Sequence, residues 1–299
     1  MSILIGNKTN VLVQGITGNE GVRATKHMLE YGTKVLAGVT PGKGGQAIEG
    51  IPVYNSVKEA IANHPKINTS IVYVPPFAAK DAVMEAIANG IGLVNVITEN
   101  VPIRDAAEML ACARKEKARV IGPSSIGILS PEKSRLGVIG GEKEIVEAIY
   151  KEGPVGVMSK SGGMTNETSW VVRQAGVGQS TVIGIGGDVI IGTNYTDLLG
   201  LFERDRQTKA VVMFGELGGT YEDQVADIIK SGDFSKPLIA FIAGKFAEYM
   251  PEGMHFGHAG AFIEGSRGSP TEKKKKLREA GAIVVEQHHE IAEKLKEIL

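Results

Sequence analysis

Length, composition and charge narrow the class of protein before any motif is considered. The chain has 299 residues, more than one typical hydrophobic core accommodates, so we expect two domains. Hydrophobic residues make up 42% and charged residues 22% of it, and the formal net charge of -1 excludes the strongly basic balance of a non-specific nucleic-acid binder. The N-terminal residues show no secretory or transit-peptide pattern, and no apolar run reaches the roughly 20 residues of a membrane span. We therefore expect a cytoplasmic globular protein that binds neither membrane nor nucleic acid.

Short apolar runs alternate with helix-length amphipathic segments along the chain, which is typical of βαβ units around a parallel sheet. In the first half the predicted strands cover residues 11–14, 34–38, 70–74, 93–97 and 119–122. In the second half they cover residues 155–159, 180–184, 210–215, 237–242 and 282–285. A Gly/Pro/Ser-rich stretch at 122–127 and a charged run at 142–152 interrupt the alternation and indicate a domain boundary. The sequence therefore predicts two α/β domains.

The turn after the first predicted strand is rich in glycine, at positions 15, 18 and 21. Such a turn lets a pyrophosphate approach the backbone N–H groups of a helix N-terminus, although a purely structural turn has the same residues and the spacing is not G-x-G-x-x-G. After the second predicted strand, where an NAD site places an acid for the ribose hydroxyls, the chain has Thr40-Pro41-Gly42-Lys43-Gly44-Gly45. Because a lysine on a glycine-rich turn suits an additional phosphate, a nucleotide with a phosphorylated ribose, such as CoA or NADP, fits better than NAD.

Three glycine-rich segments of the second half follow predicted strands, where open α/β sheets place ligand sites. They are residues 159–164, 186–188 and 215–219. The first leads into a helix, so it is either an anion site or an ordinary capped helix start. The sequence leaves both interpretations open.

One histidine, His258, lies among glycine and alanine residues. Such an imidazole can be approached closely by a phosphate or by another backbone, although a histidine that only packs in a turn has the same neighbours. Met254 and Phe256 crowd the nearby His255, which is therefore less suited to carry a phosphoryl group. Glu216 could accept a hydrogen bond from the imidazole of His258 and so determine which ring nitrogen stays free.

A run of four lysines, residues 273–276, is the one low-complexity segment of the sequence. We interpret it as the solvated face of a helix rather than as a binding patch.

Taken in order, the motifs resemble those of the α subunit of succinyl-CoA synthetase (succinate–CoA ligase, NDP-forming) over nearly the whole chain. The resemblance is carried by residues 1–5, 14–18, 38–45, 97–99, 184–188, 215–219 and 257–261. It implies an α/β fold with a Rossmann-like CoA-binding domain (residues 1–125), a linker (126–152) and a flavodoxin-like domain (153–299) that carries a phosphohistidine. It also implies an ATP-grasp β subunit, in an αβ or α2β2 assembly, that holds ATP or GTP with Mg²⁺. The phosphoryl group would pass from the nucleotide to the histidine and then to a small carboxylic acid, giving an acyl phosphate that the CoA thiol attacks.

The resemblance also assigns site residues, and it places no metal site on this chain. It implies His258 as the phosphorylated residue and Glu216 as its partner. The helix start that holds the phosphate would comprise Ser161, Gly162 and Gly163. The implied CoA contacts are Thr17, Gly18, Asn19, Glu20, Lys43, Ile97, Thr98 and Glu99.

Two departures from the family pattern bear on the acid substrate. Succinate-specific relatives usually carry Ser-Gly-Thr-Leu-Thr-Tyr where this chain has residues 161–166, which end in Asn166, and Gly-Pro-Asn-Cys-Pro-Gly where it has residues 122–127. Both segments look more like those of ATP-citrate lyase and citryl-CoA synthetase. Asn166 in place of a phenol would make room for a bulkier acid, so succinate, citrate and another dicarboxylate such as malate stay open.

Two other classes of protein are the remaining alternatives: an NADP-dependent oxidoreductase and a CoA-sensing binding protein. The histidine loop counts against the oxidoreductase. The pairing of His258 with Glu216 counts against a binding protein without catalysis.

Overall fold

The computed structural model of the chain describes residues 2–250, 257–258 and 268–299. The predictions for His255 and for residues 259–261 lie outside this part of the chain. The strands of the first half are β1 (Asn10–Gln14), β2 (Lys34–Val39), β3 (Ala47–Ile48), β4 (Ile51–Tyr54), β5 (Thr69–Val72), β6 (Leu93–Val96) and β7 (Arg119–Ile121). Its helices are α1 (Asn19–Glu30), α2 (Val57–Asn63), α3 (Ala79–Ala88) and α4 (Ile103–Lys115), and a 3-10 turn covers Pro76–Ala78.

The second half follows the same alternation. Its strands are β8 (Gly127–Ser130), β9 (Ser134–Gly137), β10 (Glu152–Ser159), β11 (Gln179–Gly184), β12 (Ala210–Gly215), β13 (Leu238–Ile242) and β14 (Ile283–Val285). Its helices are α5 (Lys143–Ile149), α6 (Gly162–Gln174), α7 (Tyr195–Arg204), α8 (Tyr221–Ser231), α9 (Pro270–Glu279) and α10 (Glu290–Ile298), and a 3-10 turn covers Lys245–Tyr249. Among the described residues, no helix combines the length and the apolar character that crossing a membrane requires.

The first sheet has the strand order of a Rossmann fold. Its order is β3-β4-β2-β1-β5-β6-β7, and all neighbours from β4 to β7 are parallel. Without β3, which pairs antiparallel with β4, this is the third-second-first-fourth-fifth-sixth order of dinucleotide-binding sheets. The predicted strands of this half are confirmed, whereas β3 and β4 were not predicted. The strand order reverses between β1 and β5, which makes that edge the expected ligand site.

The second sheet has the flavodoxin strand order with a hairpin added at one edge. Its order is β14-β13-β12-β10-β11-β8-β9. The strands from β11 to β14 are parallel, in the second-first-third-fourth-fifth order of flavodoxin-like folds, with the reversal between β10 and β12. The hairpin β8–β9 pairs antiparallel with β11. Residues 126–152, interpreted from the sequence as a linker, therefore contain two strands and α5.

The two halves are held together by buried contacts. The hydroxyl of Ser125 donates to the carbonyl of Gly184 at 2.6 Å, and the hydroxyl of Thr193 donates to the carbonyl of Val120 at 2.7 Å. One hydrophobic core also includes residues from both sheets, Val13 and Ile183 among them. These contacts place the carboxyl edges of the two sheets in a fixed relation, so a ligand can contact both.

Candidate active site

A cavity of about 590 Å³ lies at the carboxyl edge of the first sheet, where the strand order reverses. Its lining is mostly apolar and includes Gly15, Thr40 and Val74. Gly15 has a φ of 81°, and a Cβ there would lie 2.8 Å from the carbonyl oxygen of Tyr73, so the turn requires glycine at this point. The N-cap of α1 is Gly18, which offers no side chain to the N–H groups of the first turn. An anion can therefore meet these donors at the cavity wall.

The predicted CoA contacts lie at this edge of the sheet or on the segment after β6. Thr17 and Gly18 line the cavity, and the hydroxyl of Thr17 donates to that of Thr40 at 3.2 Å. Asn19 and Glu20 begin α1 and are exposed, with the carboxylate of Glu20 bound to Arg23. Lys43 is exposed on the turn that starts at Thr40, where its N–H donates to the carbonyl of Thr40 at 3.1 Å. Lys43 therefore lies three residues beyond Thr40, which lines the cavity, with its side chain exposed.

Residues 97–99 connect this cavity with a second, smaller one. The hydroxyl of Thr98 donates to the carbonyl of Val74 at 2.7 Å, and Val74 lines the large cavity. Glu99, the next residue, lines a cleft of about 100 Å³ together with His258. The predicted CoA contacts Ile97, Thr98 and Glu99 therefore lead from the nucleotide-sized cavity toward the histidine.

The cleft around His258 is built from both halves of the chain. Its lining residues are Glu99, Asn100, Ser124, Gly187, Asp188, Gly257 and His258. The ring of His258 packs directly on Gly187, where a Cβ would lie 2.4 Å from the ring carbon Cγ. Burial, together with the nearby charge of Glu99, raises the pKa of Asp188 above its ordinary value.

His258 and Glu216 form a close pair. Nδ1 of His258 lies 2.8 Å and 2.9 Å from the two carboxylate oxygens of Glu216. Because a carboxylate only accepts hydrogen bonds, Nδ1 carries the hydrogen and Nε2 is the nitrogen left for chemistry. The hydrogen bond to Glu216 raises the pKa of His258 above its ordinary 6.5, against the opposing effect of burial. The side chain of His258 is 32% exposed and that of Glu216 is 14% exposed, so the histidine remains accessible to a partner.

The predicted phosphate-binding helix start lies at the reversal point of the second sheet. Ser161 is the N-cap of α6, and its hydroxyl accepts the N–H of Met164 at 3.4 Å. Gly162 and Gly163 form the first turn, and a Cβ on Gly163 would meet no atom within 4 Å, so the backbone is open on that side. Lys160, directly before this turn, lowers the pKa of His258 by its charge. The residue that precedes the helix start thus acts electrostatically on the histidine.

Asn166 does not line the cleft that contains His258. Its Oδ1 accepts a hydrogen bond from the N–H of Gly140 at 3.1 Å and another from the hydroxyl of Tyr150 at 2.6 Å. The amide oxygen thus holds the residues on either side of α5 against α6.

The interpretation of the lysine run as a solvated face is wrong for its first two members. Lys273 is 1% exposed and Lys274 is 6% exposed, because both lie on the side of α9 that packs on the sheet with Leu277. Lys273 reaches the segment that carries Glu216, a contact that was not predicted from the sequence. In the part of the chain that the structure describes, no group of three or more His, Cys, Asp or Glu residues could hold a metal ion.

Comparison with known proteins gives first the class of protein. Residues 6–100 match the family model of the CoA binding domain, and residues 158–283 match that of CoA-ligase. The first region contains the large cavity, and the second contains α6, Glu216 and His258. The two matched domains define a ligase that binds CoA.

Individual relatives narrow the class. The chain is 47% identical over 300 residues to the succinate–CoA ligase [ADP-forming] subunit alpha 2 of Archaeoglobus fulgidus, covering 100% of both chains. It is 45% identical over 298 residues to the ADP-forming sulfoacetate-CoA ligase subunit SqwL of an Acholeplasma species, covering 100% of this chain and 98% of that one. Among solved structures, the ATP citrate lyase of Methanothrix soehngenii in complex with citrate and coenzyme A superposes with a TM-score of 0.92 at 28% identity. The superposition covers 99% of this chain and 50% of the lyase chain.

The chain belongs to the CoA ligase family that includes the α subunits of ADP-forming succinate–CoA ligase. The family resemblance and the fold class predicted from the sequence are therefore confirmed. CoA rather than NADP is the nucleotide expected in the large cavity.

Proposed function

We propose that the chain is the α subunit of a succinate–CoA ligase in which His258 carries a phosphoryl group. An ATP-grasp β subunit would hold the nucleotide with Mg²⁺, and the ADP-forming names of the relatives support ATP over GTP. The observation that carries the proposal is the pair formed by Nδ1 of His258 and the carboxylate of Glu216, which leaves Nε2 available as a nucleophile. A cytoplasmic location is part of the same proposal.

The pair suits the first phosphoryl transfer. Nε2 of His258 attacks the terminal phosphorus of ATP, and the N–P bond forms as the P–O bond to ADP breaks. The imidazole gains positive charge in this step, and the carboxylate of Glu216 stabilises that charge through the Nδ1–H bond. The open N–H groups at the start of α6 are suited to bind the phosphate oxygens.

The remaining steps transfer the phosphoryl group and then form the thioester. A carboxylate oxygen of the acid attacks the phosphorus and displaces Nε2, which gives an acyl phosphate. The CoA sulfur then attacks the carbonyl carbon, inorganic phosphate leaves, and in the net balance the thiol proton leaves with it. The path from the large cavity through Thr98 to Glu99 supports a CoA molecule whose thiol end reaches the cleft of His258. Lys43, exposed on the turn that begins at Thr40, is suited to bind the phosphate on the ribose.

Succinate is proposed as the acid because the A. fulgidus relative that matches the whole chain is a succinate–CoA ligase. Two other relatives are named for sulfoacetate and for citrate, and each of these acids, like succinate, carries more than one anionic group. Because Oδ1 of Asn166 already accepts two hydrogen bonds within the chain, the citrate alternative has little support from this side chain. A direct comparison of the three acids decides the substrate.

The labelling of the chain by ATP tests the proposal. The αβ complex, incubated with Mg²⁺ and ATP labelled at the terminal phosphate, should give a base-stable and acid-labile label on this chain. His258→Ala should abolish both the label and thioester formation. His289→Ala changes an exposed histidine at the start of α10 and should retain both, as should His255→Ala. A label that persists in His258→Ala, or a wild-type chain that takes up none, would refute the proposed function.

Discharge of the label then identifies the acid. Succinate should remove the label faster than citrate or sulfoacetate, and thioester should form only when CoA is present. Faster discharge by either of the other acids would replace succinate in the proposal and leave the role of His258 unchanged.

A further inference from the structure

Three charged side chains are buried against the segment that carries Glu216. Lys160 follows β10, Glu222 lies in the first turn of α8, and Lys273 lies on α9; their side chains are 7%, 0% and 1% exposed. Nζ of Lys160 lies 3.0 Å from one oxygen of Glu222, and Nζ of Lys273 lies 2.6 Å from the other. Burial alone would raise the pKa of Glu222, but the two ammonium groups hold it below its ordinary value. We refer to these three residues as the buried triad.

The buried triad binds both backbone polar groups of Glu216. The N–H of Glu216 donates to Oε1 of Glu222 at 3.4 Å, and Nζ of Lys273 donates to the carbonyl oxygen of Glu216 at 2.8 Å. Lys273 also donates to the carbonyl oxygen of Gly218, two residues further on. The peptide groups on either side of the Glu216 Cα are thereby fixed, while its carboxylate faces His258.

Stability alone does not account for this arrangement. Removing three charges from water costs desolvation free energy, and an apolar cluster of similar volume is often as stable or more stable. What an apolar cluster lacks is donors and acceptors for the N–H and the carbonyl of Glu216. Those hydrogen bonds specify one backbone position, and so one direction for the carboxylate.

We propose that the buried triad sets the position of Glu216, and that Lys273 is thereby a positioning residue for the histidine that carries the phosphoryl group. This inference rests on the proposed function, because it assigns Lys273 a part in the same transfer. Lys273 acts through Glu216, to whose carbonyl it donates. The charges that act on His258 itself are Glu216 and Glu99, which raise its pKa, and Lys160, which lowers it.

The test compares two neighbouring lysines of α9 in the αβ complex. Lys273→Met removes the donor to Glu216 and should slow the labelling of His258 by about 10-fold to 100-fold, the range expected for a misplacement of about 1 Å. It should also lower the pKa of His258, read from the ¹⁵N resonances of histidine incorporated in this chain alone. Lys274→Met is the matched control: Lys274 is also buried, but its Nζ donates to the carboxylate of Glu286 at 2.7 Å rather than to the segment that carries Glu216. It should lower the Tm and leave both the labelling and the pKa unchanged.

A double-mutant cycle separates positioning from general damage to the fold. In a Glu216→Gln background, Lys273→Met should cause no further loss of labelling and no further change in the pKa of His258. A full additional loss in that background would mean that Lys273 does not act through Glu216. If Lys273→Met does not fold, Lys273→Gln, which keeps one donor near the end of the side chain, takes its place in the cycle.

The outcomes for the two proposals are distinct. The pKa of His258 is measured without any phosphoryl transfer, so it reports on the buried triad even in a chain that takes up no label. A wild-type chain without label overturns the proposed function. A labelled wild type, together with a Lys273→Met variant that keeps both the labelling rate and the pKa, overturns the role of the buried triad alone.

Discussion

The contact between Gly187 and His258 allows a quantitative test of how closely the cleft holds its histidine. A Cβ on Gly187 would lie 2.4 Å from Cγ and 2.7 Å from Nδ1 of the imidazole. Carbon atoms in contact normally lie about 3.5 to 4.0 Å apart, so in Gly187→Ala the ring must withdraw by about 1 Å. The φ of Gly187 is outside the left-handed region, so alanine adds this contact and no backbone strain.

The expected loss follows from the cost of that overlap. Overpacking of this kind typically costs about 1 to 3 kcal/mol. If the cost falls on the hydrogen-bonded pair of His258 and Glu216, labelling by ATP should slow by about 5-fold to 150-fold, at 1.36 kcal/mol for each factor of ten. Because the hydrogen bond to Glu216 is the main cause of the raised pKa of His258, that pKa should fall as well. Rapid-quench measurement of the label in the αβ complex gives the rate.

A second glycine provides the control. A Cβ on Gly92 would meet no atom within 4 Å, and its φ is also outside the left-handed region, so Gly92→Ala should be labelled at the wild-type rate. If Gly187→Ala is also labelled at that rate and keeps the pKa of His258, the ring is not confined by Gly187 and the reasoning fails.

Three further changes test separate parts of the site. Lys43→Glu should weaken CoA binding by about tenfold or more, because the carboxylate repels a phosphate that the lysine attracts, and should leave the labelling of His258 intact. Calorimetry with CoA measures the affinity. An equal loss of CoA binding and of labelling would indicate misfolding. Glu216→Gln should move the midpoint of the pH–rate profile of labelling to lower pH. Glu216 raises the pKa of His258 above 6.5, and only the neutral imidazole accepts a phosphoryl group. An unchanged midpoint would contradict the effect of Glu216 on the pKa of His258. Asn166→Tyr should leave the citrate-to-succinate ratio of kcat/KM unchanged, because Oδ1 of Asn166 binds Gly140 and Tyr150 and the side chain does not line the cleft of His258. That ratio is independent of the folded fraction, which matters because Tyr150 loses its acceptor; a shift of the ratio toward succinate would show that position 166 does contact the acid.

The strand pattern could be predicted from the sequence because parallel strands buried on both faces give short, continuous apolar runs. The strands that were missed lack this signal. In β8–β9 the residues include Gly127, Ser130 and Ser134, and in β3–β4 the strands are two and four residues long. For β3 and β4 the signal lay in the turn between the two strands. Glu49 and Gly50 both adopt positive φ there, which is the geometry of a two-residue hairpin.

The burial of Lys273 and Lys274 follows from helical periodicity, although composition alone predicts a solvated lysine run. Pro270, Lys273, Lys274 and Leu277 follow one another at helical spacing, and these are the buried positions of α9. A face that contains Leu277 packs on the sheet, so a lysine on that face must find a partner inside. The partner of Lys273, Glu222, lies 51 residues earlier in the sequence, and no local pattern links the two residues.

The cleft of His258, like the pair of Lys273 and Glu222, is formed by residues that lie far apart in the sequence. The family resemblance implied a role for residues 97–99 and, separately, for His258. It did not predict that Glu99 and His258 line one cleft, since that requires the carboxyl edges of two separate sheets to face each other. The hydrogen bond from Ser125 to Gly184 and the shared core supply that placement. The joining of the two halves therefore brings the CoA cavity within reach of the histidine, and a change that loosens it should impair thioester formation while each half keeps its own fold.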